Sequence, residues 1–532
     1  MHAVAGFPAA GPTTAPAASA GRRNPHVRAG WLMAAILAGG VLLRVAPWFR
    51  ANNFTGFLEY DDGVYYAAAK SLLHGLIPYR DFTVVHPPLT WVLLLPAAVV
   101  GSLFGDPAGM AAARLEVLLA ACVNIWLISA LVQDLDGDST RTRRVPGYLA
   151  AALYAAAPGA VIAGHTVLLE TLATLPALVG MRFLLRQPLT SRPAAFGGAA
   201  LACAVGVKLF AAAYVIVASA WVLVTAGRRF VAFAGGFLGA AFVILAPYLV
   251  AAGPSVLWRD LVQAQLTRPA DGPVSIGQRL RSLAGLGELP VGLAIAVLIA
   301  CGIVFLLVLV NAASGRLKKA PQTWAWVGSA VLMAVAFARS PSYFDHYAGF
   351  FAAPASIAVG ACAAAARQAA APRVATVLAA MVLLTVAGIG SIREATHYSG
   401  QPSLAGAAVD VPKTACVYSD SVSLLISADR FTLPSQACPG WMDGRGQKLV
   451  WSVGAPPDPH FYPHGFLVDQ RWQEQTLAQL RSAAFLLVRQ DPTRTGEFGL
   501  AVRSYVAHNF RRVWAGHGPA STPELWQRIS AF

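Results

Sequence analysis

The chain has 532 residues, of which 56% are hydrophobic and 12% charged, and a formal net charge of +15. A soluble domain carries about a quarter charged residues, so this composition excludes a wholly soluble protein and points to a bilayer. The positive excess reads as Lys and Arg kept on the cytoplasmic side of membrane spans, not as a nucleic-acid surface.

Residues 1–29 are rich in Ala, Gly, Pro and Thr, with a basic cluster of Arg22, Arg23 and Arg28. Few large apolar side chains predict a disordered cytoplasmic tail. The apolar run 31–48 is long for a signal peptide and has no clear small-residue cleavage site after Trp48, so it reads as a first span running outward. The same length criterion places further spans at 114–133, 147–164, 171–186, 194–207, 209–227, 230–251, 289–311, 323–338, 347–366 and 373–391, about eleven in all within a module covering 30–394. Every second connection is basic: Arg141, Arg143 and Arg144; Arg182, Arg186 and Arg192; Arg228 and Arg229; Arg316, Lys318 and Lys319; Arg367 and Arg373. That alternation fits a cytoplasmic N-terminus in a plasma or inner membrane. It holds only if the apolar run 87–104 does not cross. This run is short, broken by Pro and Gly, and flanked by Trp91 and Phe104, so it is read as lying in the outer interface.

Within the first outer loop, 49–113, the stretch from Glu59 to Leu89 holds four carboxylates (Glu59, Asp61, Asp62, Asp81), two histidines (His74, His86) and four tyrosines. The same topology puts His165, Glu170, Lys208, the loop 252–288 with Arg268, and the segment Arg339–Tyr347 on the outer face. Ionisable groups at membrane boundaries are costly unless paired or wet, so their convergence predicts one water-accessible site.

Residues 395–532 carry charge, Pro, Trp and His without a span. Strand-like runs at 414–420 and 483–490 alternate with helix-like runs at 421–430 and 471–482, which predicts a small extracytoplasmic α/β domain. Cys122, Cys203, Cys301 and Cys362 lie in predicted spans as small buried side chains. Cys416 and Cys438 lie in the outer domain, as a disulfide or as free thiols.

Asp61-Asp62 followed by VYYAAAKSLLHG, PYRDF and HPPL resembles the first outer loop of the GT-C membrane glycosyltransferases. The likeness is greatest to the branch of protein O-mannosyltransferases and aminoarabinose transferases. Arg114 opening the second span, HTVLLETLATL (165–175) with Glu170, GVKLF (206–210) with Lys208, and RSPSYFDHYAGFFAAP (339–354) extend the resemblance over about residues 30–390. Two departures stand out: the second acid of the pair is Asp62, not Glu, and no lysine precedes PPL. The resemblance implies a helical GT-C fold with juxtamembrane helices in the first loop. It also implies an inverting transfer of a sugar from a polyprenyl-phosphate donor to a hydroxyl of a cell-envelope glycan, glycolipid or protein.

Such a transfer needs a base for the hydroxyl proton and cations for the leaving phosphate. Asp61 is the candidate base, and Asp62 orients it or the acceptor. A neighbouring carboxylate is expected to raise the pair's affinity for protons. Adjacent helical residues point about 100° apart, so both need not face the same site. Candidate phosphate ligands are Lys208, Arg339, His346 and Arg268. Candidate substrate contacts are Tyr65, Tyr66, His86, Glu170, Tyr343 and Tyr347; interface aromatic belts are the alternative for the tyrosines. A divalent metal bridging Glu170, Asp61 or His346 is compatible with those donors, and no spacing demands one. The competing function is a polyprenyl-linked lipid or sugar flippase without chemistry; a membrane scaffold is a third. The sugar and acceptor are not encoded in any motif.

Overall fold

The computed structural model describes residues 25–49, 54–56, 58–136, 144–270, 274–287, 289–299, 302, 321–365, 370–397, 403–455, 464–494, 497–516 and 522–529. The N-terminal tail to residue 24, the second half of the predicted span 289–311 apart from residue 302, Cys301, and the basic positions Arg141, Arg143, Arg316, Lys318, Lys319 and Arg367 lie outside them.

Helix α1 (Pro25–Phe49) contains the first predicted span. Helix α2 (Tyr60–Leu73) follows in the outer loop, with Asp61 and Asp62 in its first turn, where acidic side chains favour the helix dipole. It ends at His74, followed by Gly75 at φ +88°, a conformation open to glycine. The run 87–104 forms α3 (Leu89–Leu93) and α4 (Leu95–Phe104), separated at Leu94. At 10 residues, α4 is about 15 Å long, half a hydrocarbon core, in keeping with an interfacial helix.

Helix α5 (Asp106–Asp136) is a long span. The predicted span 147–164 is broken into α6 (Arg144–Ala156) and α7 (Pro158–His165), bent by 60°. Pro158 lacks an N–H and drives Ala157 out of helical geometry, to φ −66° and ψ 122°. The buried Arg44 of α1 closes the break, donating to the carbonyls of Ala155 at 3.0 Å and Ala160 at 3.1 Å. Backbone carbonyls, not a carboxylate, therefore receive this intramembrane cation.

Helices α8 (Leu169–Leu184) and α9 (Ser191–Val207) pack side by side, and α11 (Phe230–Ala252) lies along α9. Between them, α10 (Ala212–Ala226) is cut from α11 at Ala226, whose φ −148° and ψ 35° are not helical. Helices Gln322–Arg339, Ala348–Ala365 and Ala370–His397 complete the membrane module. By length and apolarity, four helices among the described residues can cross a bilayer, or five with the bent pair. The predicted count of eleven is larger partly because α8 and α9, at 16 and 17 residues, are short for a straight span.

The C-terminal domain has a four-stranded sheet, ordered β1 (Val417–Tyr418), β2 (Phe485–Val488), β4 (Glu524–Arg528), β3 (Phe510–Ala515). β1 and β2 are parallel; β4 is antiparallel to both its neighbours. Alternation along β2 sends Leu486 and Val488 into one core with Leu480, Val502 and Val506, and Leu487 into the other with Leu404 and Leu424. The predicted runs 414–420 and 483–490 contain β1 and β2; β3 and β4 are additional. Cys416 and Cys438 are bonded to each other.

Ser423 and Asp429 are among the residues that dock this domain on the first loop. Ser423 Oγ accepts from Gly63 N–H at 3.1 Å and donates to Tyr60 O at 2.9 Å. Asp429 Oδ1 accepts from Asp106 N–H at 2.8 Å. A Cβ at Gly63 would lie 2.5 Å from the Cα of Ser423, a backbone atom that cannot swing aside. Gly63→Ala is therefore expected to loosen the docking by about 1–3 kcal/mol. Limited proteolysis after residue 397 checks this: cleavage at the wild-type rate contradicts it.

Candidate active site

Asp61 and Asp62 diverge, as their 100° separation allows. Asp62 is 1% exposed and turns into the core. Its Oδ2 accepts from Arg114 Nη2 at 3.0 Å and Thr166 Oγ1 at 2.6 Å. Arg114, fully buried, also donates to the carbonyls of Phe54 at 2.6 Å and Gly56 at 2.8 Å. Asp62 thus anchors α2, which also carries Asp61, against α5 and the end of α7. Tyr66 also turns from Asp61. Its hydroxyl donates to Asp106 Oδ1 at 3.0 Å, and its ring fits between Gly101 and Gly109, away from Asp61. Lys70 holds the same Asp106 oxygen at 2.5 Å.

Asp61 looks the other way. Tyr65 Oη donates to Asp61 Oδ2 at 3.3 Å and lies 3.1 Å from His86 Nε2. A carboxylate only accepts, so the single phenolic proton goes to Asp61 and His86 donates through Nε2. His86 stays neutral, because burial drives its pKa down to about 3. Its ring meets Tyr65 edge-on, with centroids 5.1 Å apart. Two consecutive prolines, Pro87 and Pro88, then open α3, whose Thr90 Oγ1 donates to Val207 O at 3.0 Å. That bond ties the first loop to the end of α9.

At that end, Lys208 leaves helical geometry at φ −150° and ψ 128°. Its ammonium pairs with Glu170, in the first turn of α8, and lies 4.9 Å above the Tyr347 ring. His346 Nε2 is 3.8 Å from the same Glu170 oxygen, and its ring stacks on Phe344. Arg268 lies over the other partner of that stack, 5.4 Å from the Phe344 centroid. Glu170, Lys208, His346, Tyr347 and Arg268 thus form one aromatic and ionic cluster. Tyr343 lies at its edge, 6.2 Å from Tyr347, and lines a cavity of about 450 Å³ with Arg281, Ser282 and Asp345. Arg339 is exposed at the last turn of its helix, and no hydrogen bond or ion pair links it to the described cluster residues, so its expected phosphate role is not supported by position. Among the described residues, no three His, Cys, Asp or Glu side chains are arranged to hold a metal, and Glu170 is already taken by Lys208.

The C-terminal domain meets the first turn of α2 at Tyr60. Tyr60 Oη lies 3.4 Å from Asp443 Oδ1 and accepts from Arg445 N–H at 3.2 Å. The Arg445 guanidinium sits 4.6 Å over the Tyr60 ring. Burial pushes the Asp61 carboxyl up. The groups around it outweigh that: the His86 and His346 rings, the Lys208 ammonium and the Arg445 guanidinium. Asp61 is held below the usual carboxylate range, opposite to the rise expected from its neighbour, because Arg114 already matches the charge of Asp62.

Asp443 behaves in the opposite way. Burial, with the Asp61 charge adding to it, raises its pKa from 3.8 to about 6. The folded domain therefore holds this proton more tightly than the unfolded chain. The resulting stability is full below pH 4 and is lost as pH rises through 6. Asp443 also caps the helix Gly444–Trp451, accepting from Gly446 N–H at 2.8 Å, a function Asn retains. Asp443→Asn is expected to stabilise the protein at pH 8 by up to about 3 kcal/mol and to leave it unchanged at pH 4. Thermal unfolding across that range checks it; a pH-independent difference contradicts it.

No protein-family model matches the chain, and no curated sequence matches it. Solved structures do. ArnT from Cupriavidus metallidurans, bound to undecaprenyl phosphate, matches with a TM-score of 0.57 at 14% identity, over 94% of this chain and 98% of its own. The oligosaccharyltransferase of Archaeoglobus fulgidus with Zn and sulfate matches with 0.53 at 12% identity, over 93% of this chain and 72% of its own. Archaeal AglB from Archaeoglobus fulgidus, with an inhibitory peptide and a dolichol-phosphate, matches with 0.52 at 10% identity, over 94% of this chain and 74% of its own. At these identities the likeness is one of fold. The chain has the GT-C membrane fold that the sequence resemblance implies, with a small C-terminal α/β domain.

Proposed function

We propose that the protein is a membrane glycosyltransferase that moves a sugar from a polyprenyl phosphate to a hydroxyl on the outer face of the membrane, with inversion. The observation that carries this reading is the placement of Asp61: a carboxylate in the first turn of α2, held in a chain of hydrogen bonds by Tyr65 and, through Tyr65, by His86. Structures of this fold bound to undecaprenyl phosphate and dolichol-phosphate support the class of carrier.

The acceptor oxygen attacks the anomeric carbon, and the bond from that carbon to the phosphate oxygen breaks with its electron pair leaving on the phosphate. Asp61 takes the hydroxyl proton as the new bond forms. Lys208 faces the charge that grows on the leaving group. Tyr65 holds Asp61 in orientation, and neutral His86 holds Tyr65. Asp62, tied to Arg114, contributes the position of α2. One carboxylate of the pair facing the reactants suits a single displacement. The Cys416–Cys438 bond supports an oxidising, extracytoplasmic setting for the C-terminal domain. A hexosyl or a pentosyl unit, and a glycan, glycolipid or protein hydroxyl, fit this chemistry equally.

The test is a membrane reconstitution with radiolabelled polyprenyl-phosphate sugars and envelope extract from a deletion strain. Label transferred to an acceptor, with release of polyprenyl phosphate, is the expected result. Movement of intact donor across the bilayer without release would establish a flippase instead.

A further inference from the structure

The sheet face that packs on Leu404 and Leu424 leaves a cleft of about 610 Å³ between the sheet and the segment 403–411. That volume is in the range of small-ligand sites. A break in register builds its floor. β3 pairs Arg512 with Trp526 and Trp514 with Leu525, so Val513 is an extra residue. Regular alternation would set Val513 opposite Leu525 and turn Trp514 to the far face. The bulge instead brings Trp514 to the cleft, where Phe485 and Gln527, partners across β2 and β4, already lie.

The opposite wall is held from behind. Buried Arg430 donates to Val411 O from Nε and to Ala408 O from Nη2, both at 2.7 Å. Leu404 N–H donates at 3.2 Å to the carbonyl of Ser427, which ends the helix Val422–Ser427 that carries Ser423 onto the first loop. The cleft is therefore preformed, and its wall is fixed to the part of the domain that meets the membrane module.

The lining separates three classes of ligand. Asp410 is the single ionisable side chain in it, and no Lys, Arg or His lines the cleft to receive a phosphate or an anionic headgroup. β3 is the edge of the sheet, but its bulge interrupts the row of backbone groups that an added peptide strand pairs with. A neutral saccharide meets neither obstacle. Its C–H face stacks on the partly buried Trp514 indole, while its hydroxyls donate to a carboxylate and exchange hydrogen bonds with an amide. Among the described residues, no hydrogen bond or ion pair engages the side chains of Asp410 and Gln527, so both are available to such a ligand. We propose that this cleft is a second, non-catalytic site that binds a neutral oligosaccharide, with Trp514 as the platform and Asp410 and Gln527 as the hydroxyl ligands. On the transferase reading the bound glycan is a stretch of the acceptor; the binding itself does not depend on that reading.

The experiment uses the full chain in phosphatidylcholine nanodiscs and saturation-transfer NMR with neutral tetrasaccharides of mannose, glucose, galactose and arabinose. At least one is expected to receive saturation, most strongly at the protons of one ring face. Titration of that sugar is expected to show at least fivefold weaker binding for W514L and for the double variant D410A/Q527A, with wild-type thermal unfolding for both. R471Q, whose arginine lies over Trp451 elsewhere in the domain, is the control and binds as wild type. If W514L unfolds early, D410A/Q527A alone decides. Unchanged affinity in folded D410A/Q527A overturns the assignment, as does the absence of saturation in all four sugars. Saturation of a Ser/Thr-rich peptide and of no sugar would assign the cleft to a protein chain and overturn it too. Sugar transfer in the membrane reconstitution without binding at the cleft leaves the transferase reading standing and removes the cleft. Binding that D410A/Q527A abolishes, without transfer, does the reverse.

Discussion

Replacing Asp61 by Asn is expected to lower sugar transfer by about 10²–10⁴-fold while leaving the fold intact, since a positioned general base is worth roughly that much. The substitution is nearly isosteric, and Asn still accepts the Tyr65 hydroxyl through its carbonyl. It removes the one property that the surroundings enforce, ionisation at neutral pH. Because Lys208 remains, carrier binding is expected to persist or to strengthen. The informative readout is therefore kcat falling with KM little changed. Asp62→Asn is the contrast. It weakens the anchoring of α2, so its thermal midpoint falls along with activity. Wild-type turnover by Asp61→Asn in membranes supplied with donor would remove Asp61 from the mechanism.

Arg114→Met is expected to cost about 3–5 kcal/mol, because it leaves Asp62 charged and buried without its partner. The carbonyls of Phe54 and Gly56 lose their donors at the same time. The double variant Arg114→Met with Asp62→Leu removes both charges and is expected to recover a large part of the stability, since a buried pair replaced by apolar side chains is often close to neutral. Transfer is not expected to recover equally, because Asp62 also fixes Thr166 and hence the approach to Glu170. A thermodynamic cycle over the wild type, the two single variants and the double variant measures the coupling. Additive losses would show that Asp62 and Arg114 act independently and would undo the anchoring role given to them.

The helical module, the interfacial helices and the α/β tail were legible because each rests on local pattern. Apolar runs of the right length, Pro and Gly at 87–104, and alternation around 414–420 and 483–490 are properties of neighbouring residues. β3 and β4 escaped because FRRVWA and ELWQR carry charged residues and do not look like buried strands in sequence; pairing with each other, and of β4 with β2, makes them strands. The 60° bend needed Pro158 and also Arg44, which comes from a helix more than a hundred residues earlier.

The site divides along the same line. Residue types and membrane position, together with the GT-C resemblance, brought forward Asp61, Lys208, Glu170, His346, Tyr65, Tyr347 and His86, because charge at a bilayer edge is rare enough to be informative. Helical spacing also required Asp61 and Asp62 to part. Which of them turned inward was decided by Arg114, 52 positions away, and which tyrosine followed was decided by the gap between Gly101 and Gly109. Arg445 and Asp443 lie more than 380 positions from Tyr60 in the chain, and only docking of the second module makes them neighbours. Local pattern records what a residue costs in its surroundings. Contacts between distant segments decide which surroundings it receives.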